Sequence, residues 1–218
     1  MDNLISDKLK ELDRLVTQRL SDLGFKRQKK FWYSRKNGEC LQHTWMYETK
    51  VPGKNQYYLG FFYGFAIEDL AKVMDYLRGY KYNKYSVSFR SNMCNIVHIM
   101  DHREFQIYLT ENTRLEDVVE NVISVLERLV EPFWEENDTL EKFVSHWEDH
   151  EYQKIYGYVD NIWWCHLSYA LLKDPPSWRE VVKKYQEFFD RPADRRLFGD
   201  FESRVQRYIE NGGIPDEL

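Results

Sequence analysis

Residues 25–110 break into short aromatic and β-branched runs divided by turn signals, whereas residues 113–218 repeat apolar side chains at three- and four-residue steps. No feature constrains the fold more. The first pattern builds an antiparallel sheet and the second a set of helices, and their segregation along the chain reads as α+β. The runs are "GFKRQKKFWYSRK", closed by the hairpin signal Asn37-Gly38; "CLQHTWMYETK", closed by "VPGKN"; and "QYYLGFFYGFAI". Three more follow, "YSVSF", "NIVHIM" and "EFQIYLT", the last two expected to pair across "DHR". That makes a sheet of about five to six strands.

Ahead of the sheet, Ile5, Leu9, Leu12, Val16, Leu20 and Leu23 share one face of a helix over 3–23, with Gly24 as its stop. "IEDLAKVMDYLR" at 67–78 reads as a short helix within the sheet region. Beyond it, Thr113 with Glu116, Asp138 with Glu141 and Ser177 with Glu180 read as capping boxes opening successive helices. "VDNIWWCHLSYALLK" is apolar nearly all round and predicts a central helix, and a last one is expected from about Ala193 to Asn211, stopping at Gly212-Gly213. The organisation expected is an α+β sheet domain over 1–112 and a helical part over 113–218, packed together as one unit.

Charge is unevenly placed. Residues 1–65 hold 12 basic and 7 acidic side chains, while residues 101–151 hold 4 basic and 15 acidic, within a chain of net charge -5. An acidic helical half can steer a basic partner or be a solvated surface. The densest acidic stretch, "EPFWEENDTLE", nominates Glu131, Glu135, Glu136, Asp138 and Glu141 as a partner-binding surface. Trp134 among them is a candidate anchor.

The basic aromatic run nominates a second surface. Lys26, Arg27, Lys29, Lys30 and Trp32 could contact phosphates and bases if cations and rings shared one strand face. Period-two alternation instead mixes them on both faces, and the run reads better as a polar bend near 27–30 followed by a strand built on Phe31 and Tyr33. In "YYLGFFYGF", Gly60 and Gly64 flank Phe62 and predict a helix lying over them; a groove lined by Trp45, Tyr58 and Phe62 is the alternative.

Catalytic and metal signals are thin. His146, Asp149 and His150 share a helical face, but two or three ligands fall short of a closed site, and the zinc-protease pattern needs Glu directly after the first His. His98 and His102 fall in the expected hairpin, where a four-residue step does not unite them. Cys165 and His166 are adjacent, so on a helix they diverge and cannot work as nucleophile and base. No phosphate-binding glycine loop, nucleophile elbow or dinucleotide fingerprint occurs, and no cofactor is expected. Cys40, Cys94 and Cys165 lack metal spacing and read as reduced thiols of a cytoplasmic protein. No apolar run approaches a membrane span, and the polar start "MDNLISDKLKELDRL" is not that of a signal peptide.

Gly24, Phe25, Lys26, Lys29, Lys30, Phe31 and Arg35, following an amphipathic helix, resemble the start of a bacterial family known only as a domain of unknown function. The aromatic strand ending near Leu59-Gly60 is similar to that family's third element, and the likeness covers about residues 5–110. The chain departs from the family in lacking a longer polar strand around 42–50. The resemblance implies a small bacterial cytoplasmic α+β domain and brings no activity or catalytic residues with it. The function expected is a non-catalytic protein-binding module, immunity- or antitoxin-like, meeting a basic protein through the acidic surface. Nucleic-acid binding by the basic aromatic sheet is the alternative, and a metal-dependent enzyme the second.

Overall fold

The computed structural model describes residues 2–101, 104–147, 162–189 and 199–216. It is α+β: an N-terminal helix, a six-stranded antiparallel sheet and C-terminal helices. The chain forms two compact units, residues 1–65 with 90–157, and residues 66–89 with 158–218.

In the first unit, helix α1 (Asp2–Asp22) buries Ile5, Leu9, Leu12, Val16 and Leu20, the face its spacing predicts. It stops where expected. Gly24 is left-handed (φ 83°), and the amide of Phe25 donates to the Leu20 carbonyl in a Schellman closure that tucks Phe25 into the core. The sheet has the order β1 (Lys26–Lys29), β2 (Trp32–Asn37), β3 (Cys40–Lys50), β4 (Tyr57–Ile67), β5 (Phe89–Asn92), with β6 (Ile107–Leu109) also paired to β4.

The basic run differs from its expected form. Residues 26–29 are not a bend but a bulged strand, and the chain turns at Lys30-Phe31, between the paired Lys29 and Trp32. Phe31 takes a left-handed conformation (φ 57°), unusual for a bulky residue. Asp13 of α1 supports it, accepting hydrogen bonds from the Phe31 amide (3.1 Å) and the Tyr33 hydroxyl (2.8 Å) and pairing with Arg27. The next turn matches its signal: Asn37 pairs with Cys40 across Gly38 (φ 58°) and Glu39. Glycine at the first loop position with a positive φ suits a II′ hairpin.

One sheet face is the core. Tyr33, Leu59, Phe61, Tyr63, Phe65, Ile107 and Leu109 are buried, with Phe133 and Trp134 of α5 (Glu131–Glu136) lying edge-on to Tyr63. α4 (Leu115–Val125) packs beside α1 and runs through a π-helical turn, Leu126–Val130, into α5. Arg35 ties β2 to α5. Its guanidinium lies 4.6 Å from the Phe25 ring and 5.7 Å from that of Trp134, donates to Gln42 Oε1 (2.7 Å) and the Leu23 carbonyl (3.0 Å), and pairs with Glu131.

Four local expectations are corrected. "NIVHIM" is not a strand: Met93–Asp101 is a helix, α3, burying Met93, Ile96 and Val97 at i, i+3, i+4, so His98 sits on a helix and no hairpin joins it to the next strand. His102 lies outside the described residues. The Thr113 hydroxyl accepts the Thr110 amide rather than capping α4, whose N-cap is Arg114. The cap of α6 (Leu140–Ser145) is Thr139, not Asp138, and Ser177 donates its hydroxyl to the Asp174 carbonyl instead of capping the helix after it.

The second unit is built on α2 (Glu68–Arg78), the helix Ile162–Lys173 and the helix Phe201–Asn211. The middle one is buried nearly all round, as its composition predicts. Cys165 donates to the Ser88 carbonyl, and Arg78 lies over Trp164. The last helix ends at Gly212 (φ 65°); residues 190–198, where it was expected to begin, lie outside the described residues.

Candidate binding face of the sheet

The second face of the first unit's sheet carries a row of aromatic rings across four strands. Trp32 of β2 stacks on Trp45 of β3, its cross-strand partner, with centroids 4.5 Å apart and planes 15° from parallel. Trp45 stacks on Phe62 of β4 at 5.4 Å and 10°. Tyr47 follows at 5.3 Å from Phe62, Tyr58 at 6.1 Å from Tyr47, and Tyr108 of β6 at 5.6 Å from Tyr58. Period-two alternation explains the assembly: odd positions of β3 and even positions of β4 point away from the core. None of the six rings is buried. Tyr47 is 40% and Tyr108 43% exposed, and the other four are half-buried.

Two residues shape the row from beneath. Gly60 lies between Tyr58 and Phe62, and a methyl there would fall within the Tyr47 ring, so the side chain over this glycine is Tyr47 and not the expected helix. An aromatic laid across a strand glycine shields the backbone that the missing side chain leaves open. His43 is fully buried beside Trp32, whose indole N–H donates to His43 Nδ1 at 3.2 Å. An indole can only donate, so the imidazole carries its proton on Nε2. Burial lowers its pKa to about 4, keeping it neutral and an acceptor for Trp32.

The candidate cations do not form one surface. Arg27 turns to the α1 side and pairs with Asp13, and Lys30 pairs with Glu48 at 2.9 Å. Lys29 lies over the outer side of Trp32, 5.0 Å from the ring. Lys26 is exposed.

The acidic candidates divide as well. Glu131 is partly buried in its pair with Arg35, and burial outweighs that pairing, holding its carboxyl above the ordinary range. Trp134 is no surface anchor: it is 1% exposed and donates to the Gly64 carbonyl at 3.2 Å. Asp138 pairs with Lys142 at 2.7 Å. Glu135, Glu136 and Glu141 remain exposed, and the first two border a shallow groove with Pro132, Lys142, Ser145 and His146.

Among the described residues no group of three or more His, Cys, Asp and Glu could hold a metal ion. His146 Nδ1 is 3.2 Å from Asn137 Oδ1, and Asp149 and His150 lie outside the described residues. Cys165 and His166 do not act together: the thiol is pushed up to about 12 by burial, and the imidazole meets the Tyr185 hydroxyl at 2.8 Å. No described helix is long and apolar enough to cross a membrane. No protein-family model, curated protein or solved structure matches the chain.

The sequence offered Trp45, Tyr58 and Phe62 as a groove and missed that Trp32, Tyr47 and Tyr108 complete their row. Alternation alone assigned each to a face. What it lacked was strand order, which brings residues 32 and 108 onto one surface.

Proposed function

We propose that this is a non-catalytic protein-binding module and that its contact surface is the aromatic face of the sheet. The observation behind this reading is the unbroken row of six exposed or half-buried rings over four strands. Contiguous apolar surface of this kind marks interaction sites, and tyrosine and tryptophan are the side chains that interfaces enrich. Its three cysteines are free thiols. That state suits a reducing compartment, and we place the module in the cytoplasm on that ground.

Stacking of nucleobases is less well supported. The inner faces of Trp32, Trp45 and Phe62 are turned toward one another, and Lys29 occupies the outer side of Trp32. Base stacking needs open ring faces. A second protein surface is favoured by the exposure of Glu135, Glu136 and Glu141, which would meet a basic partner in an immunity- or antitoxin-like complex.

Two charge-altered proteins separate these readings in capture from a host lysate, with and without nuclease. One carries Tyr47→Lys and Tyr108→Lys; the other carries Glu135→Lys, Glu136→Lys and Glu141→Lys. Loss of a nuclease-resistant partner only with the first set supports the aromatic face. Loss only with the second transfers the function to the acidic surface. A partner that vanishes on nuclease treatment returns the sheet to nucleic acid.

A further inference from the structure

Independently of the aromatic face, we propose that the second unit binds a small phosphorylated polyol, such as a sugar phosphate or glycerol phosphate, between the end of α2 and the helix Phe201–Asn211. A pocket of about 440 Å³ lies there, lined by Tyr76 and Gly79 on one side and by Asp200, Arg204, Arg207 and Asn211 on the other. α2 ends at Gly79, left-handed at φ 78°, and the Arg204 guanidinium lies against that end, its Nε donating to the Leu77 carbonyl at 2.7 Å. Arg204, Arg207 and Asn211 follow one another at i, i+3 and i+7, so they share a helix face. Their helix closes at Gly212, where the Gly213 amide donates to the Tyr208 carbonyl at 2.9 Å, and Pro215 beyond that turn joins the lining.

Both arginine charges converge on this pocket. Burial holds the Tyr76 hydroxyl above its ordinary pKa, and Arg207 and Arg204 both oppose that rise. Like charges one helical turn apart repel, and Asp200 stands 3.9 Å from Arg204 Nη1, at the outer limit of an ion pair. A phosphate between the two guanidiniums answers both charges: the exposed Arg207 offers a fork of N–H donors that matches its oxygens, and Arg204, fixed by Leu77, adds its charge. The remaining lining selects the body of the ligand. Asn211 donates its amide to the Arg207 carbonyl at 2.7 Å, which leaves its Oδ1 as an acceptor, and the Asp200 carboxylate can only accept. Acceptors beside the cations suit hydroxyl groups and disfavour a second anion. Tyr76 is the only aromatic among the described lining residues. It is 3% exposed and its hydroxyl donates to the Arg204 carbonyl at 3.0 Å, so no open ring face is offered to a nucleobase. The volume lies in the range of small-molecule sites and far exceeds a single phosphate group.

The test is an NMR titration of the full chain with glucose 6-phosphate and glycerol 3-phosphate, beside glucose, inorganic phosphate, glucuronate and AMP. The expected result is saturable shifts of amides within 76–80 and 200–213 with at least one of the two phosphorylated polyols. Its affinity should exceed that for inorganic phosphate, glucuronate and AMP tenfold or more, with glucose inert. Arg207→Gln should weaken it tenfold or more. Asp200→Ala should weaken it threefold or more while holding inorganic phosphate at least as tightly as the parent does. Arg207 is exposed and the Asp200 side chain caps no amide of its helix, so either variant decides the matter should the other not fold. Both phosphorylated polyols leaving these amides unmoved, or binding as tightly after either substitution, overturns the proposal. Inorganic phosphate, glucuronate or AMP binding as tightly as the better of the two overturns it as well, since the pocket would then read a bare anion, a carboxylate or a base. None of these outcomes bears on the aromatic face, which the capture experiment tests separately.

Discussion

Asp13 is the residue on which the first unit's hairpin most depends. Its carboxylate accepts from the Phe31 amide and the Tyr33 hydroxyl and pairs with Arg27, all within a helix face that is otherwise apolar. Replacing it with alanine strands a buried amide in a left-handed turn, so Asp13→Ala should lower unfolding free energy by about 3 kcal/mol, read from urea denaturation. His43 makes a different prediction. Its pKa falls from 6.5 to about 4 on burial, so the unfolded chain binds a proton that the folded chain refuses between those values. The contribution is present above pH 6.5 and is lost as pH falls toward 4; between pH 7 and 5 it amounts to about 2 kcal/mol. Measured against His43→Gln, the parent should lose more stability by roughly that amount over that interval. Neither role was legible in the sequence. Asp13 finds partners 14 to 20 residues away in a turn whose position the alternation misjudged, and His43 gave no sign that its nitrogen holds an indole.

Helices and strands were read well where burial repeats over several turns. α1 buries Ile5, Leu9, Leu12, Val16 and Leu20 as its spacing predicts, with Leu23 half-buried just past its end, and Gly24 stops it, because one apolar stripe and one left-handed glycine suffice. α3 was missed because six apolar-rich residues suit a strand or a buried helix equally, and only Met93, Ile96 and Val97 facing inward together decides it. The capping positions slipped because Thr110 and Thr139 compete with the residues that fit the pattern. Between elements, the tie of β2 to α5 through Arg35 and Glu131 spans 96 residues and left no local trace. Arg35→Ala should cost about 3 kcal/mol, because a partly buried carboxylate then loses its countercharge. Adding Glu131→Gln should return part of that loss, and a double-mutant cycle by chemical denaturation reads the coupling.

At the scale of the molecule, the two compact units are each assembled from separate stretches of chain. The first needs residues 90–157 as well as 1–65: α4, α5 and β6 complete what α1 and the first four strands begin. A fragment ending at residue 112 therefore lacks Val118, Val122, Phe133 and Trp134 from its core. It should give collapsed amide dispersion in NMR, whereas the full chain gives a resolved spectrum. A fragment with native dispersion would refute this. The sequence carried the α+β class because pattern and class share one cause, the period of burial. It could not carry the interleaving of the units, which depends on contacts between distant segments.

The stacking of Trp32 on Trp45 at 4.5 Å has an optical consequence. Two indoles so close couple their transitions, and wherever their in-plane axes are skewed that coupling gives a paired positive and negative band in circular dichroism that isolated tryptophans lack. The face thus carries its own chromophore. Whatever tilts one indole against the other, whether a docked segment, a lost His43 bond or a displaced neighbour, changes the sign or size of that couplet without any added label.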